Sequence, residues 1–353
     1  MAKIALVTDT HWGVRNDSIA FANYFKKFYD NIFFPYLIEH DICHVIHLGD
    51  IVDRRKFINF NSANRLKEDF IIPLYENSIE AYMIVGNHDA FYKNTLEINS
   101  MRELYGNRSY PNLNIIDKPT EITIDDTNIV LMPWMCQDNM NDALNLIQST
   151  KSEILFGHLE LAGFEMNKGT VIDHGMDTNV FGKFDVVCSG HYHHRSSKGN
   201  INYLGCPYEI TWSDYADPKG FHIFDTETRG LTFISNPYTM FNKIHYDDSK
   251  WSSIDQVFDF SDLTGTYVKV IVREKTNPYW FDVFIDKLEK FDPLNIQVVD
   301  DNLYLNLEDD IDIVSEAEDT LTILKKFIDT AEGADKTEID KVLSELYLEA
   351  SSI

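Results

Sequence analysis

A chain of 353 residues, 44% hydrophobic and 13% aromatic, can bury a sizeable interior and is too long for one ordinary core, so two domains and a small appendage are expected. No basic amphipathic presequence, apolar leader or membrane-length apolar span is present, which argues against a membrane protein and leaves a soluble, cytoplasmic one as the expectation. With 31 Lys and Arg against 57 Asp and Glu the net charge is −26, which opposes a phosphate-rich partner unless the local sign at one site departs from the average.

From the start, short apolar runs alternate with helical patterns. KIALVTD (3–9), HVIHLGD (44–50) and AYMIVGN (81–87) read as buried strands of a βαβ sheet, with crossover helices between them. One helix is expected over residues 17–38, where Ala22, Phe25, Phe28, Ile32 and Tyr36 repeat at helical spacing and Pro35 should kink the end. After residue 110 come LNIID, EITI, NIVLMPW, EILFGH, FDVVCSGHYH, INYLGCP and FHIFDT, taken together as a second sheet packed on the first and ending near residue 240. Residues 243–308 read as a small α/β unit: YVKVIV and NIQVVD as strands, and a helix over 278–291 opened by Asn277 and Pro278. An acidic run from 309 then leads into two amphipathic helical segments separated by Gly333. The four cysteines, Cys43, Cys136, Cys188 and Cys206, lack CxxC spacing and read as reduced core residues.

Chemistry is concentrated where strands end. Five runs finish in groups able to bind a cation: Asp9 and His11 in TDTH, Asp50 in GDIVD, Asn87 in GNHD, His158 in GHL, and His191 with His193 in GHYH. Open α/β sheets bind ligands at the carboxyl ends of their strands, so these seven should converge on one crevice. Gly49, Gly86, Gly157 and Gly190 precede them and are expected to let the backbone turn off the sheet. Mixed oxygen and imidazole donors suit Mn²⁺, Fe²⁺ or Zn²⁺; no cysteine stands at these positions, and four imidazoles do not make a calcium cage. Seven ligands exceed one ion and fit two that share Asp50. Each fragment alone has an ordinary explanation as a turn, a helix cap or a hydrogen-bonded histidine. The joint occurrence of all five at strand ends carries the reading. In GHYHH, the strand period of two puts His191 and His193 on one face and Tyr192 and His194 on the other, so His194 is expected to be a bystander or an outer contact.

The order DxH, GDxxD, GNHD, GH, GHxH over residues 9–193 resembles the calcineurin-like metallophosphoesterases. Within that group, the GHLELAG loop, the GHYHH ending, the small α/β unit and the terminal hairpin look like the SbcD or meiotic recombination eleven nuclease subunits, and the length and acidity are similar to phage members. The resemblance rests on motifs for the first two-thirds of the chain and on layout after about residue 240. It implies an α/β fold: a two-sheet sandwich flanked by helices (1–240), a small capping and DNA-binding domain (241–308), and an acidic linker with a helical hairpin (309–353). Through Leu321, Leu324, Ile328, Ile339, Leu343 and Leu346 the hairpin would grip an SbcC-like ABC-type ATPase, in a heterotetramer built on a homodimer.

The same resemblance puts one ion on Asp9, His11, Asp50 and His193 and the other on Asp50, Asn87, His158 and His191, with Mn²⁺ expected before Mg²⁺. His88 would stabilise the phosphate or protonate the leaving oxygen, with Asp89 orienting its ring. Some relatives carry a second histidine where this chain has Asp53, which is given an orienting role. The implied activity is phosphodiester hydrolysis of DNA, exonucleolytic on duplexes and endonucleolytic on single strands, in recombination, repair and replication. Arg15, Arg54, Arg55, Lys56, Lys93, Arg195 and Lys198 lie on the site loops and are the expected DNA-backbone contacts, the alternative being ordinary surface charge.

Three rivals remain. A phosphoprotein phosphatase is favoured by GDIVDR but opposed by Arg55 in place of a glycine, by Asp89 after GNH, and by the paired histidines of GHYH. A small-nucleotide phosphodiesterase would not need the extra domain and tail, and a metal-free scaffold would normally have lost ligands.

Overall fold

The structure, a computed structural model, describes residues 2–300 apart from 107–108, 168, 252 and 254–257. The chain divides into two compact units, Met1–Glu308 and Asp309–Ile353; the second, with the expected hairpin and its six contact residues, lies outside the described residues.

The first sheet begins with β1 (Lys3–Val7), β2 (His44–His47), β3 (Glu80–Ile84) and β4 (Leu113–Ile116), all parallel. Both faces are covered, which is why these runs are apolar throughout rather than alternating. In β1, Ile4 and Leu6 pack between the sheets, while Ala5 and Val7 pack against helices.

Helix α1 (Ile19–Phe28) passes through a π-helical turn (Tyr29–Phe33) into α2 (Phe34–Glu39), which carries Pro35 in its first turn. The expected disruption at Pro35 is absorbed there. Proline lacks the N–H and crowds the carbonyl four residues back, and one wider turn removes both conflicts. The same device recurs in α3 (Phe60–Leu66), the π turn Lys67–Ile71 and α4 (Ile72–Glu76), with Pro73 in the same place. After β3 comes the short α5 (Ser100–Tyr105).

The second sheet contains β5 (Thr120–Ile124), β6 (Thr127–Met132), β7 (Ile154–His158), β10 (Val186–Gly190), β11 (Ser196–Lys198) and β12 (Ile201–Tyr203), in the order β11-β12-β10-β7-β6-β5. Helix α6 (Met140–Ser149) covers its outer face through Ala143 and Ile147. A small hairpin, β8 (Glu165–Asn167) with β9 (Thr170–Val171), stands apart.

Two strands assigned by sequence to the second sheet belong to the first. LNIID forms β4 beside β3, and FHIFDT forms β13 (Gly220–Asp225), antiparallel to β1 and followed by β14 (Leu231–Ser235) at the edge. An apolar run says that a strand is buried but not which neighbour buries it, and β13 finds its partner more than 200 residues back in the chain.

The remaining described segment is a parallel sheet of β15 (Phe241–Asp247), β16 (Tyr267–Glu274) and β17 (Asn295–Asp300) with α7 (Pro278–Glu289), which Asn277 caps through its side chain. The strand β15 was not expected, and of the four cysteines expected in the core Cys43 is exposed, because it lies in the connection that leads into β2. This segment shares the first compact unit because Phe241 and Tyr267 pack on Phe21 of α1, with ring centroids 6.1 and 5.9 Å away.

Candidate metal centre

The ends of β1, β2, β3, β7 and β10 meet at one crevice. Six of the seven expected ligands come together there in two adjoining clusters, Asp9 with His11 and His193, and Asp50 with His158 and His191. Asn87 joins the second, its Oδ1 lying 2.8 Å from His158 Nε2 and 3.0 Å from His191 Nδ1. Asp50 stands between them, with Oδ2 3.3 Å from His158 Nε2 and 4.0 Å from His11 Nε2.

The backbone reaches this arrangement differently from the expectation. Asp9, His11, Asp50 and His191 themselves have positive φ, from 43° to 86°, so the ligand residues make the sharp turns. Such conformations are costly for non-glycine residues and persist where the surroundings fix them. Of the four glycines only Gly49 has a left-handed backbone (φ 102°); Gly190 supplies space, since a Cβ there would stand 2.0 Å from Thr8 Oγ1. The strand also ends at Gly190, so the period-two argument does not govern GHYHH. His191 and His193 nevertheless reach the crevice, Tyr192 is buried against Tyr203, and His194 Nδ1 pairs with Asp217 Oδ1 at 3.0 Å.

Around the cluster, hydrogen bonds fix the donors. Asp9 accepts from Thr8 Oγ1 and from the His191 amide; His158 Nδ1 donates to the Leu48 carbonyl at 2.8 Å, which leaves Nε2 for the crevice. Asp53 Oδ1 lies 3.3 Å from His11 Nδ1, and the Asp53 carbonyl accepts from His88 Nδ1 at 2.6 Å. Asp53 thus touches both rings, one through its side chain and one through its backbone.

Asp89 departs from its expected role. Its carboxylate does not meet the His88 ring but accepts from the amides of Ile51, Val52 and Gly86 at 2.9, 3.0 and 2.8 Å, tying the GDIVD loop to the GNHD loop. His88 is placed instead by Asp53 and by its own amide, which donates to Asp50 Oδ1 at 2.8 Å.

Burial and neighbouring charges act on these groups in opposition. Burial pushes Asp9 up to about 6. Burial pulls His11 and His158 down, but the Asp53 hydrogen bond and nearby carboxylates overcome it for His11 and Asp50 does so for His158, leaving each at about 9. His193 is driven down to about 3 by burial and by His11. His11 Nε2 and His193 Nε2 face each other at 3.1 Å, a contact that needs one proton between two lone pairs. A divalent cation satisfies both nitrogens at once. Donor separations of 2.8–3.3 Å also match neighbouring ligands at right angles on bonds of about 2.1 Å, which come to about 3 Å apart. The donor set therefore fits divalent ions.

Two features were missed by sequence reasoning. The indole of Trp134 packs 5.1 Å from the His191 ring and 6.0 Å from His158, forming a wall of the crevice. A further cluster, His193 with Cys206 and Asp214, already holds a cation, because Lys219 Nζ lies 2.7 Å from Asp214 Oδ1. Neither Trp134 nor Lys219 stands in one of the motifs.

The expected DNA contacts are not equivalent. Arg15 donates to the Ile210 carbonyl, and Arg54 is bound to Asp17 and Asn16 and stacks over Phe57. Arg55 is half-buried, with Nε and Nη1 enclosed and unpaired among the described residues. Burial lowers its pKa, while Asp50 and Asp89 act in the opposite direction. Arg195 lies over the Phe233 ring at 3.9 Å, and Lys56, Lys93 and Lys198 are exposed.

Among the described residues, no helix is long and apolar enough to cross a membrane. The family model of the calcineurin-like phosphoesterases matches residues 2–195. Exonuclease subunit 1 of Enterobacteria phage T4 is 33% identical over 310 residues, 87% of each chain. The SbcD component of the SbcCD nuclease of Staphylococcus saprophyticus is 27% identical over 217 residues, 53% of this chain and 56% of its own. A solved archaeal phosphodiesterase aligns over 66% of this chain and 99% of its own at 16% identity, with a TM-score of 0.32, too low to bear on the argument. With its motifs in family order and their side chains gathered in one crevice, the chain belongs to the calcineurin-like phosphoesterase family.

Proposed function

We propose that this chain is the nuclease subunit of an SbcC–SbcD type complex, hydrolysing phosphodiester bonds of DNA with two divalent ions, Mn²⁺ before Mg²⁺. The observation that carries the reading is the pair of clusters meeting at Asp50. Similarity to a phage exonuclease subunit over 87% of both chains and to the SbcD component of an SbcCD nuclease supports DNA as the substrate.

Two ions held by Asp9, His11, Asp50 and His193, and by Asp50, Asn87, His158 and His191, would supply an activated water and a charge clamp for in-line displacement at phosphorus. The protein's own part is orientation. Asp53 holds His11 through its carboxylate and fixes the His88 tautomer through its carbonyl, so that His88 Nε2 remains for the phosphate or the leaving oxygen. Burial keeps His88 below its ordinary pKa, so the ring takes up its second proton in response to the negative phosphate. Arg55 is the foremost candidate for a phosphate contact, because its guanidinium is the one cation among the seven with enclosed, unpaired donors. Arg15 and Arg54 shape the rim.

The finer reading is a chain that works on duplex ends and single strands as a homodimer, with residues 241–308 capping the DNA and 309–353 gripping the ATPase. The discriminating test is Mn²⁺-dependent hydrolysis of linear DNA, a phosphodiester dye and a phosphomonoester dye, side by side. Cleavage of DNA and the diester is expected; turnover of the monoester alone would sink the nuclease reading.

A further inference from the structure

We infer that Lys219, clamped by Asp214 and Asp217, is a positioning residue that sets His193 in the metal centre. The inference rests on the two-ion reading of that centre and adds a segment, residues 205–219, to which no motif assigns a role.

Between Gly190 and β11, which starts at Ser196, no ladder bonds hold the chain, and His191 has φ 86°. Something else must fix the backbone that carries His193. The His193 carbonyl accepts from Lys219 Nζ at 2.9 Å and from the Cys206 amide at 3.3 Å. The same ammonium meets Asp214 Oδ1 at 2.7 Å and Asp217 Oδ2 at 2.8 Å, so all three of its protons have acceptors. Asp217 turns its other oxygen to His194 Nδ1 at 3.0 Å, and the second oxygen of Asp214 accepts from the amides of Ile210 and Thr211. Lys219 is 4% exposed, Asp214 2% and Asp217 8%. A charged group so enclosed is retained only with full pairing, and removing one partner leaves the others uncompensated. The network therefore transmits the position of β13, where Lys219 sits just before Gly220, to a histidine of the site. Partners that hold a ligand's side chain typically set metal affinity by about 10- to 100-fold, and one that holds its backbone carbonyl is expected to act on the same scale.

The test is Mn²⁺ titration of the full chain by calorimetry, with thermal melting as the control for folding. Lys219→Met should weaken one ion about 10- to 100-fold. That ion should be the one retained in His158→Ala, and the other should be unchanged. Asp217→Asn, a milder change, should shift the same ion in the same direction, and Lys219→Arg should recover part of the loss. Asp248→Asn turns one of the two Asp248 oxygens that accept from the Thr276 and Asn277 amides into an NH₂ facing an N–H, far from the ligands in sequence, and should lower the melting point without moving either affinity. If Lys219→Met does not fold, Asp217→Asn is read by the same criterion. Unchanged affinity for both ions, or equal weakening of both, overturns the inference. A wild-type chain that binds fewer than two ions overturns the two-ion reading itself, which is a distinguishable result.

Discussion

Asp89→Ala probes the joint between the two loops that carry Asp50 and Asn87. Asp89 is fully enclosed, and its two oxygens satisfy three amides that are themselves buried, those of Ile51, Val52 and Gly86. Alanine leaves three buried N–H groups without partners, at roughly 1–3 kcal/mol each, so a loss of about 3–9 kcal/mol is expected. That is a large part of the 5–15 kcal/mol or so that keeps a domain folded. Asp89→Asn is predicted to cost less, about 1–3 kcal/mol, because its carbonyl can keep the two bonds made by Oδ1 while its NH₂ opposes the Gly86 amide. The assay is urea unfolding of metal-free protein, so that lost ion binding does not enter the comparison. An Asp89→Ala protein within about 1 kcal/mol of wild type would refute the assignment of Asp89 as the tie between the loops.

His88→Ala should abolish cleavage of the diester dye while leaving Mn²⁺ affinity within a few-fold, since its Nδ1 is taken by the Asp53 carbonyl and its ring meets the expected ligand His11 only edge-on, at 4.8 Å; loss of metal would refute its place outside the ligand set. Truncation at residue 309 should spare diester hydrolysis and remove association with an SbcC-like ATPase, measured by co-purification. Glu209 gives a pH dependence. Burial raises its carboxyl to about 7, against hydrogen bonds from the Met240 and Phe241 amides. Because the folded state holds this proton more tightly than the unfolded chain, the contribution is full below about 4.5 and lost as pH rises through about 7. Glu209→Gln should therefore match wild type near pH 5 and exceed it near pH 8, by a margin on the order of 3 kcal/mol. Parallel melting curves for the two proteins across that range would contradict this.

The gathering of the seven candidate ligands in one crevice was legible because it depends on short motifs at strand ends, and the sheet's polarity brings strand ends to one place whatever the pairing. What was not legible depends on long-range partners. Nothing local in FHIFDT says that it lies beside KIALV, and nothing local in GDIVDRR separates Arg54, which Asp17 and Asn16 occupy, from Arg55, whose donors remain open. Asp89 looked like a histidine partner because it follows His88, yet its side chain turns back to three amides. The glycines were read as hinges, but the turns are made by Asp9, His11, Asp50 and His191, in conformations that residue type alone does not predict. Lys219 could have drawn notice only as a lysine ending a polar stretch immediately before a buried strand.

The central claim is that seven side chains hold two ions across Asp50. Crystals grown with Mn²⁺ and measured at the manganese absorption edge test it directly. Two anomalous peaks about 4 Å apart, one beside His11 and His193 and one beside Asn87, His158 and His191, are predicted. A single peak, or peaks away from Asp50, would contradict the account.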